Sequence, residues 1–333
     1  MKRKIFDVLM GFKADVIRSL QHPSIPHDSN KVMDCLEDVD QSKNELEPLV
    51  LPEDAIKESA ALVAKVVSVR PETRYFLIND GEDDRKIAYT ISGDMNGKNI
   101  LLCLPGLLET KASFMVIHAY FLKFDNCKII SIDFSGRGQS DNITDQEDYK
   151  MSLYLSDISR LIKELILVSG RSTQKLTILG TSMGGVLAMY LTQIFGKKIY
   201  GIILNDIALT VNWTSLYTLY KSMKNDLGFR EVRELAKELS VDERVVSDVQ
   251  LPGHFDLSYQ ADVWGMNFHE ALEGFKGKVS LIYGSDSKIC TKLRVEEAKT
   301  YMPHLQTIEV IGAGHPAPFN LQVCEFIQTE MSI

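Results

Sequence analysis

The sequence predicts an α/β protein, an eight-stranded, mostly parallel, doubly wound sheet carrying an inserted helical lid. Three observations carry that prediction. From Tyr75 onward, short β-rich apolar runs alternate with helical stretches; the later runs are unbroken Val/Ile/Leu segments; and one connection, residues 207–277, is far too long for a simple crossover. A strand covered by helices on both faces has no polar side to show, so continuous apolar runs are the mark of a buried parallel sheet.

Taken in order, residues 1–70 read as an N-terminal appendage. It opens with an amphipathic stretch (Ile5, Phe6, Val8, Leu9, Phe12), breaks at His22-Pro23-Ser24-Ile25-Pro26, and runs on through an acidic stretch to Glu53. A helical pattern resumes from Ala55 to Val67 and stops at Pro71. The domain proper, residues 71–333, then presents strand runs at Tyr75–Ile78, Lys86–Ser92, Asn99–Leu104, Cys127–Ile132, Lys175–Leu179, Ile199–Leu204, Lys278–Tyr283 and Gln306–Ile311. Helical stretches fall between them at about 110–123, 149–168, 184–195, 292–301 and 317–330. The lid is expected over about 207–277, where Trp213, Tyr217, Tyr220, Met223, Phe229, Trp264, Met266 and Phe268 suggest an apolar face toward the substrate.

Composition narrows the function classes. With 45% hydrophobic and 25% charged residues over 333 positions, the chain can bury a large core and is neither disordered nor a disulfide scaffold. Its 37 basic and 45 acidic residues give a net charge of −8, the wrong sign for neutralising phosphates, so nucleic acid is not an expected partner. The five cysteines, Cys35, Cys103, Cys127, Cys290 and Cys324, stand far apart without a CxxC pair, which argues against both a disulfide framework and a metal site. Asp7, Lys13 and Asp15 interrupt the apolar start before signal-peptide length, and no run approaches a membrane span, so the expected setting is the cytoplasm.

The strongest local signal is Gly180-Thr181-Ser182-Met183-Gly184-Gly185, a GxSxG with an apolar strand before it and a helical pattern after it. Alone it would turn up by chance in roughly one chain in ten of this length; the strand-turn-helix context lifts it. A nucleophilic serine must stand on a sharp turn clear of the sheet, and only small neighbours fit beside it. Its base is expected at His315 in Gly312-Ala313-Gly314-His315-Pro316, directly after the last strand run. The orienting acid is expected at Asp286, just past the Lys278–Tyr283 run, with Asp206, which ends the run before it, as the alternative. Backbone amides of Leu107 and Met183 are the expected oxyanion donors, and no cofactor or metal is required.

Together the Leu104-Pro105-Gly106-Leu107 turn, the loop Asp133-Phe134-Ser135-Gly136-Arg137-Gly138-Gln139-Ser140, the Gly180–Gly185 segment and Gly314-His315 resemble the α/β-hydrolase superfamily over about residues 75–330, notably bacterial serine esterases, lipases and carbon-carbon bond hydrolases. Two departures stand out. The family usually has His-Gly where this chain has Pro105-Gly106, and it commonly places the acid where Ser287 stands, one residue past Asp286. The resemblance implies a serine hydrolase cleaving an ester or thioester of a small apolar acyl substrate through an acyl-enzyme. The same triad would serve an acyltransferase or a carbon-carbon bond hydrolase. A catalytically silent receptor, with the appendage binding a protein partner, is the alternative from another class.

Overall fold

A computed structural model describes residues 71–79, 84–143, 151–167, 174–210 and 268–333. The appendage and most of the expected lid, including its aromatic and methionine residues from Trp213 to Met266, lie outside the described residues.

Eight strands form one sheet: β1 (Thr73–Ile78), β2 (Arg85–Gly93), β3 (Asn99–Leu104), β4 (Cys127–Ile132), β5 (Lys175–Thr181), β6 (Ile199–Asn205), β7 (Lys278–Gly284) and β8 (Gln306–Val310). Their order is β1-β2-β4-β3-β5-β6-β7-β8. β2 runs antiparallel to both β1 and β4, and every pair from β4 across to β8 is parallel. The helices are α1 (Met115–Phe121), α2 (Met151–Leu161), α3 (Met183–Phe195), α4 (Lys292–Tyr301) and α5 (Leu321–Met331).

The unbroken apolar runs have the cause inferred for them. Along β3, Ile100, Leu102 and Leu104 belong to a core shared with α2, α3 and α4, while Leu101 and Cys103 point into a second core shared with α1 and α5. Successive side chains of a strand face opposite ways, so a sheet covered on both sides needs an apolar residue at every position. Ile202 and Leu204 on one face of β6, and Ile203 on the other, repeat the arrangement.

Some boundaries differ from the sequence expectation. β5 continues past Leu179 through Gly180 to Thr181, because Gly180 pairs with Leu104 and Leu204 and Thr181 with Asn205. The last helix begins at Leu321 instead of 317, where the Asn320 side chain caps it by accepting from the Val323 amide at 2.9 Å. The ends of the long connection belong to the core: Ile207, Ala208, Leu209, Phe268, Ala271 and Leu272 are all buried, and the Phe268 amide donates to the Leu209 carbonyl at 2.7 Å. Phe268, expected on the substrate face, is therefore a core residue of the stem. Among the described residues no helix is long and apolar enough to cross a membrane.

Candidate active site

Ser182 occupies the single residue between β5 and α3. Its backbone sits at φ 47° and ψ −112°, a conformation that a side-chain-bearing residue adopts only when its surroundings enforce it. The enforcement is visible. The Ser182 amide donates to the Asn205 carbonyl at 2.9 Å, and the Ser182 carbonyl accepts from the amides of Gly185 (2.9 Å) and Val186 (3.2 Å), which starts the helix. A Cβ at Gly180 would overlap the backbone of Gly184, and one at Gly184 would overlap the carbonyls of Leu104 and Pro105. Glycine at both places lets strand, turn and the β3 loop close on one another.

His315 lies five residues past the end of β8, after Gly312 at φ 71°. Its Nε2 is 3.0 Å from Ser182 Oγ, and its Nδ1 is 2.7 Å from Asp206 Oδ2. A carboxylate only accepts, so Nδ1 carries the proton and the neutral ring's Nε2 is left to accept from the serine hydroxyl. Asp206 is fully buried directly after β6, its own backbone at φ 57°. Its second oxygen, Oδ1, accepts from the Gly284 amide at 3.1 Å, and its amide donates to the Ile282 carbonyl at 2.7 Å. Both carboxylate oxygens are thereby occupied, one by β7 and one by the imidazole.

The expected pairing of Asp286 with His315 is not what the structure contains. Asp286 is exposed; its Oδ1 accepts from Ser285 Oγ at 2.8 Å, and its amide donates to the Ala313 carbonyl at 2.9 Å. Asp286 thus holds the histidine loop by its main chain while its carboxylate faces solvent. The physical reason is the path of that loop. It crosses the end of β7 so closely that a Cβ at Gly284 would overlap the carbonyls of Ala313 and Gly314. The imidazole is carried over β7 toward β6, past Asp286 and onto Asp206.

Of the expected donors, Met183 directly follows this serine, and Leu107 lies in the loop after β3, whose Leu104 and Pro105 carbonyls close on Gly184. Met183 is the first residue of α3, where an amide has no carbonyl four residues earlier to bond. Leu107 lies in a turn closed by the Glu109 amide donating to the Gly106 carbonyl at 3.2 Å. Because the Gly106–Leu107 peptide is trans, the Leu107 N–H points opposite to that carbonyl, out of the turn.

Three supporting residues were not singled out in the sequence. Asn205 Nδ2 donates to Thr181 Oγ1 (3.2 Å) and to the Ala317 carbonyl (3.0 Å), tying the serine strand to the histidine loop. Arg137, with no exposed surface, donates from Nη1 to the Leu107 carbonyl at 2.6 Å. In the loop that carries it, Asp133 braces the chain: its two oxygens accept from the Lys111 amide (2.7 Å), Lys111 Nζ (2.6 Å) and the Gln139 amide (3.0 Å). The third, Glu109, is buried beside the same turn, and a charged residue in a loop carries no sequence signal of such burial.

No competing thiol nucleophile stands among the described residues. Cys103, Cys127, Cys290 and Cys324 are free and buried, and burial pushes each thiol up, Cys127 and Cys324 to about 12. Of the other histidines, His118 bridges Ser92 and Ser131 in the core, His269 stacks on Tyr301, and His304 is exposed.

Comparison with known proteins agrees with this fold. A family model described as the α/β-hydrolase fold matches residues 99–232, which span β3 to the serine helix and beyond. A 3-hydroxybutyrate-oligomer hydrolase from Cupriavidus necator is 21% identical over 271 residues, covering 70% of this chain and 88% of that protein. Among solved structures, one from Rickettsia typhi superposes with a TM-score of 0.64 at 21% identity, covering 78% of this chain and 99% of that one. An α/β hydrolase from Novosphingobium aromaticivorans superposes with a TM-score of 0.61 at 18% identity, covering 79% and 98% respectively.

Proposed function

From its place in the α/β-hydrolase superfamily, to which this chain belongs, we propose that it is a serine hydrolase that cleaves an ester of a small apolar acyl substrate through an acyl-enzyme. The observation that carries the reading is the continuous relay from Ser182 Oγ through His315 to Asp206, with contacts of 3.0 and 2.7 Å.

In this reading Ser182 Oγ attacks the acyl carbon as His315 Nε2 takes its proton. The imidazolium that forms is stabilised by the buried Asp206 carboxylate, which also fixes the tautomer. Charge developing on the carbonyl oxygen is met by the amides of Leu107 and Met183; a single such donor is worth about 10²–10³ in turnover. His315 then returns the proton to the leaving alcohol, and water repeats the sequence to release the acid. The Cupriavidus relative, named for hydrolysis of an oligomeric ester, supports ester cleavage ahead of acyl transfer.

A fluorophosphonate probe tests the reading directly, since it traps a serine only when base and oxyanion donors are assembled. Ser182 is expected to be labelled, Ser182→Ala and His315→Ala to stay unlabelled, and a panel of acyl esters including 3-hydroxybutyrate oligomers to report the preferred chain. Intact protein that neither labels nor turns over any ester would overturn the proposal.

A further inference from the structure

We propose that Glu109 is a positioning residue for the oxyanion turn, holding the Leu107 amide in place through Gly106; this rests on the serine hydrolase reading above.

Glu109 grips Gly106 from both sides. Its Oε2 accepts from the Gly106 amide at 2.7 Å, while its own amide donates to the Gly106 carbonyl at 3.2 Å. The Gly106 carbonyl belongs to the same rigid peptide as the Leu107 N–H, so fixing the one aims the other. Arg137 secures the next peptide by donating to the Leu107 carbonyl at 2.6 Å. Two buried ionisable side chains therefore anchor the peptides on either side of the Gly106–Leu107 peptide, and the N–H of the peptide between those two anchors is the one assigned to the oxyanion. Pro105, immediately before, has no N–H with which to anchor the turn by itself.

The carboxylate is placed for this work. Glu109 is 6% exposed, and a Cβ added at Gly106 would meet Glu109 Oε2 at 2.9 Å and Thr181 Cγ2 at 3.5 Å, so the turn is pressed between the acid and the serine strand. Burial raises the Glu109 carboxyl, the Gly106 hydrogen bond opposes that rise, and the positive form of His315 opposes it too. A buried carboxylate with an amide partner is costly to keep and strongly directional once kept.

The test compares Glu109→Met, close in shape but without an acceptor, with Glu109→Gln, which keeps one. Glu109→Met is expected to lower kcat on the order of 10- to 100-fold, with KM within about threefold, because a displaced oxyanion donor acts on the transition state alone. Its affinity for a boronic acid, which mimics the tetrahedral state, should fall by a similar factor. Glu109→Gln should restore most of both. Should the Met variant fail to fold, Glu109→Asp, too short to reach Gly106, carries the test with the same expected loss of kcat and of boronate affinity. Wild-type kcat in the Met or Asp variant would overturn the proposal. So would a change confined to KM, or equal damage in the Met and Gln variants. Each comparison is made against a wild-type protein that labels and turns over, so failure of the hydrolase reading is registered separately.

Discussion

Asp206 and Asp286 each follow a strand of the same sheet, and the difference between them is two backbone facts. Asp206 comes directly after β6 at φ 57°, fully buried, whereas Asp286 lies two residues beyond β7 in an exposed turn. Neither a left-handed backbone at an aspartate nor the route of the histidine loop is written in composition or spacing, so the sequence narrowed the acid to two and favoured Asp286, whereas the structure sets Asp206 against His315. Ser182 and His315, which the structure sets 3.0 Å apart, could be singled out because a nucleophile turn and a returning histidine loop would demand glycines beside them, and those glycines are visible. Asp206→Asn is expected to leave the fold intact and lower kcat by about 10⁴, since the imidazole loses the partner that sets its tautomer. Asp286→Asn should stay within about threefold of wild type, because the amide that holds Ala313 is untouched. Steady-state kinetics of the two variants check this, and equal losses would count against the geometry.

Elements were read more surely than residues. Doubly covered strands leave continuous apolar runs, and all eight are where the runs predicted; the ends shifted where Gly180 and Thr181, poor strand signals by themselves, were drawn into pairing by neighbours on both sides. What no run could reveal is how strand ends meet, and β7 shows its importance. Its last residue, Gly284, both donates to Asp206 and lies under the Ala313 and Gly314 carbonyls. Gly284→Ala is expected to cost about 1–3 kcal/mol of stability from overpacking. Its effect on turnover should be larger, about 10- to 100-fold, since the displaced backbone carries His315 and small misplacements of a reacting group are amplified. Thermal melting and kcat measured on the same sample separate the two effects; a destabilised variant with wild-type kcat would show that the loop adjusts without moving the imidazole.

At the scale of the molecule, two cores on opposite faces of one sheet make the described fold, and a polar bridge lies within the second of them. His118, on α1 and without exposed surface, places Nδ1 2.7 Å from Ser92 Oγ on β2 and Nε2 2.9 Å from Ser131 Oγ on β4. Nothing in the sequence set it apart from the other histidines, because a buried bridging role depends on which strands the helix covers. Burial lowers its pKa from 6.5 to about 3, so the folded protein keeps it neutral at pH values where the unfolded chain protonates it. The unfolded state then binds the extra proton between these two values. Stability therefore rises with pH across that window, is fully present above about 6.5, and is lost progressively as pH falls toward 3. At pH 4.5, two units below the unfolded value, the loss from this one group is roughly 3 kcal/mol. Urea unfolding of the wild type between pH 4.5 and 7.5 should show the decline, and His118→Asn, less stable at neutral pH, should show a shallower one. Parallel pH profiles for the two proteins would mean that other groups set the acid limit of this fold and that His118 titrates alike in both states.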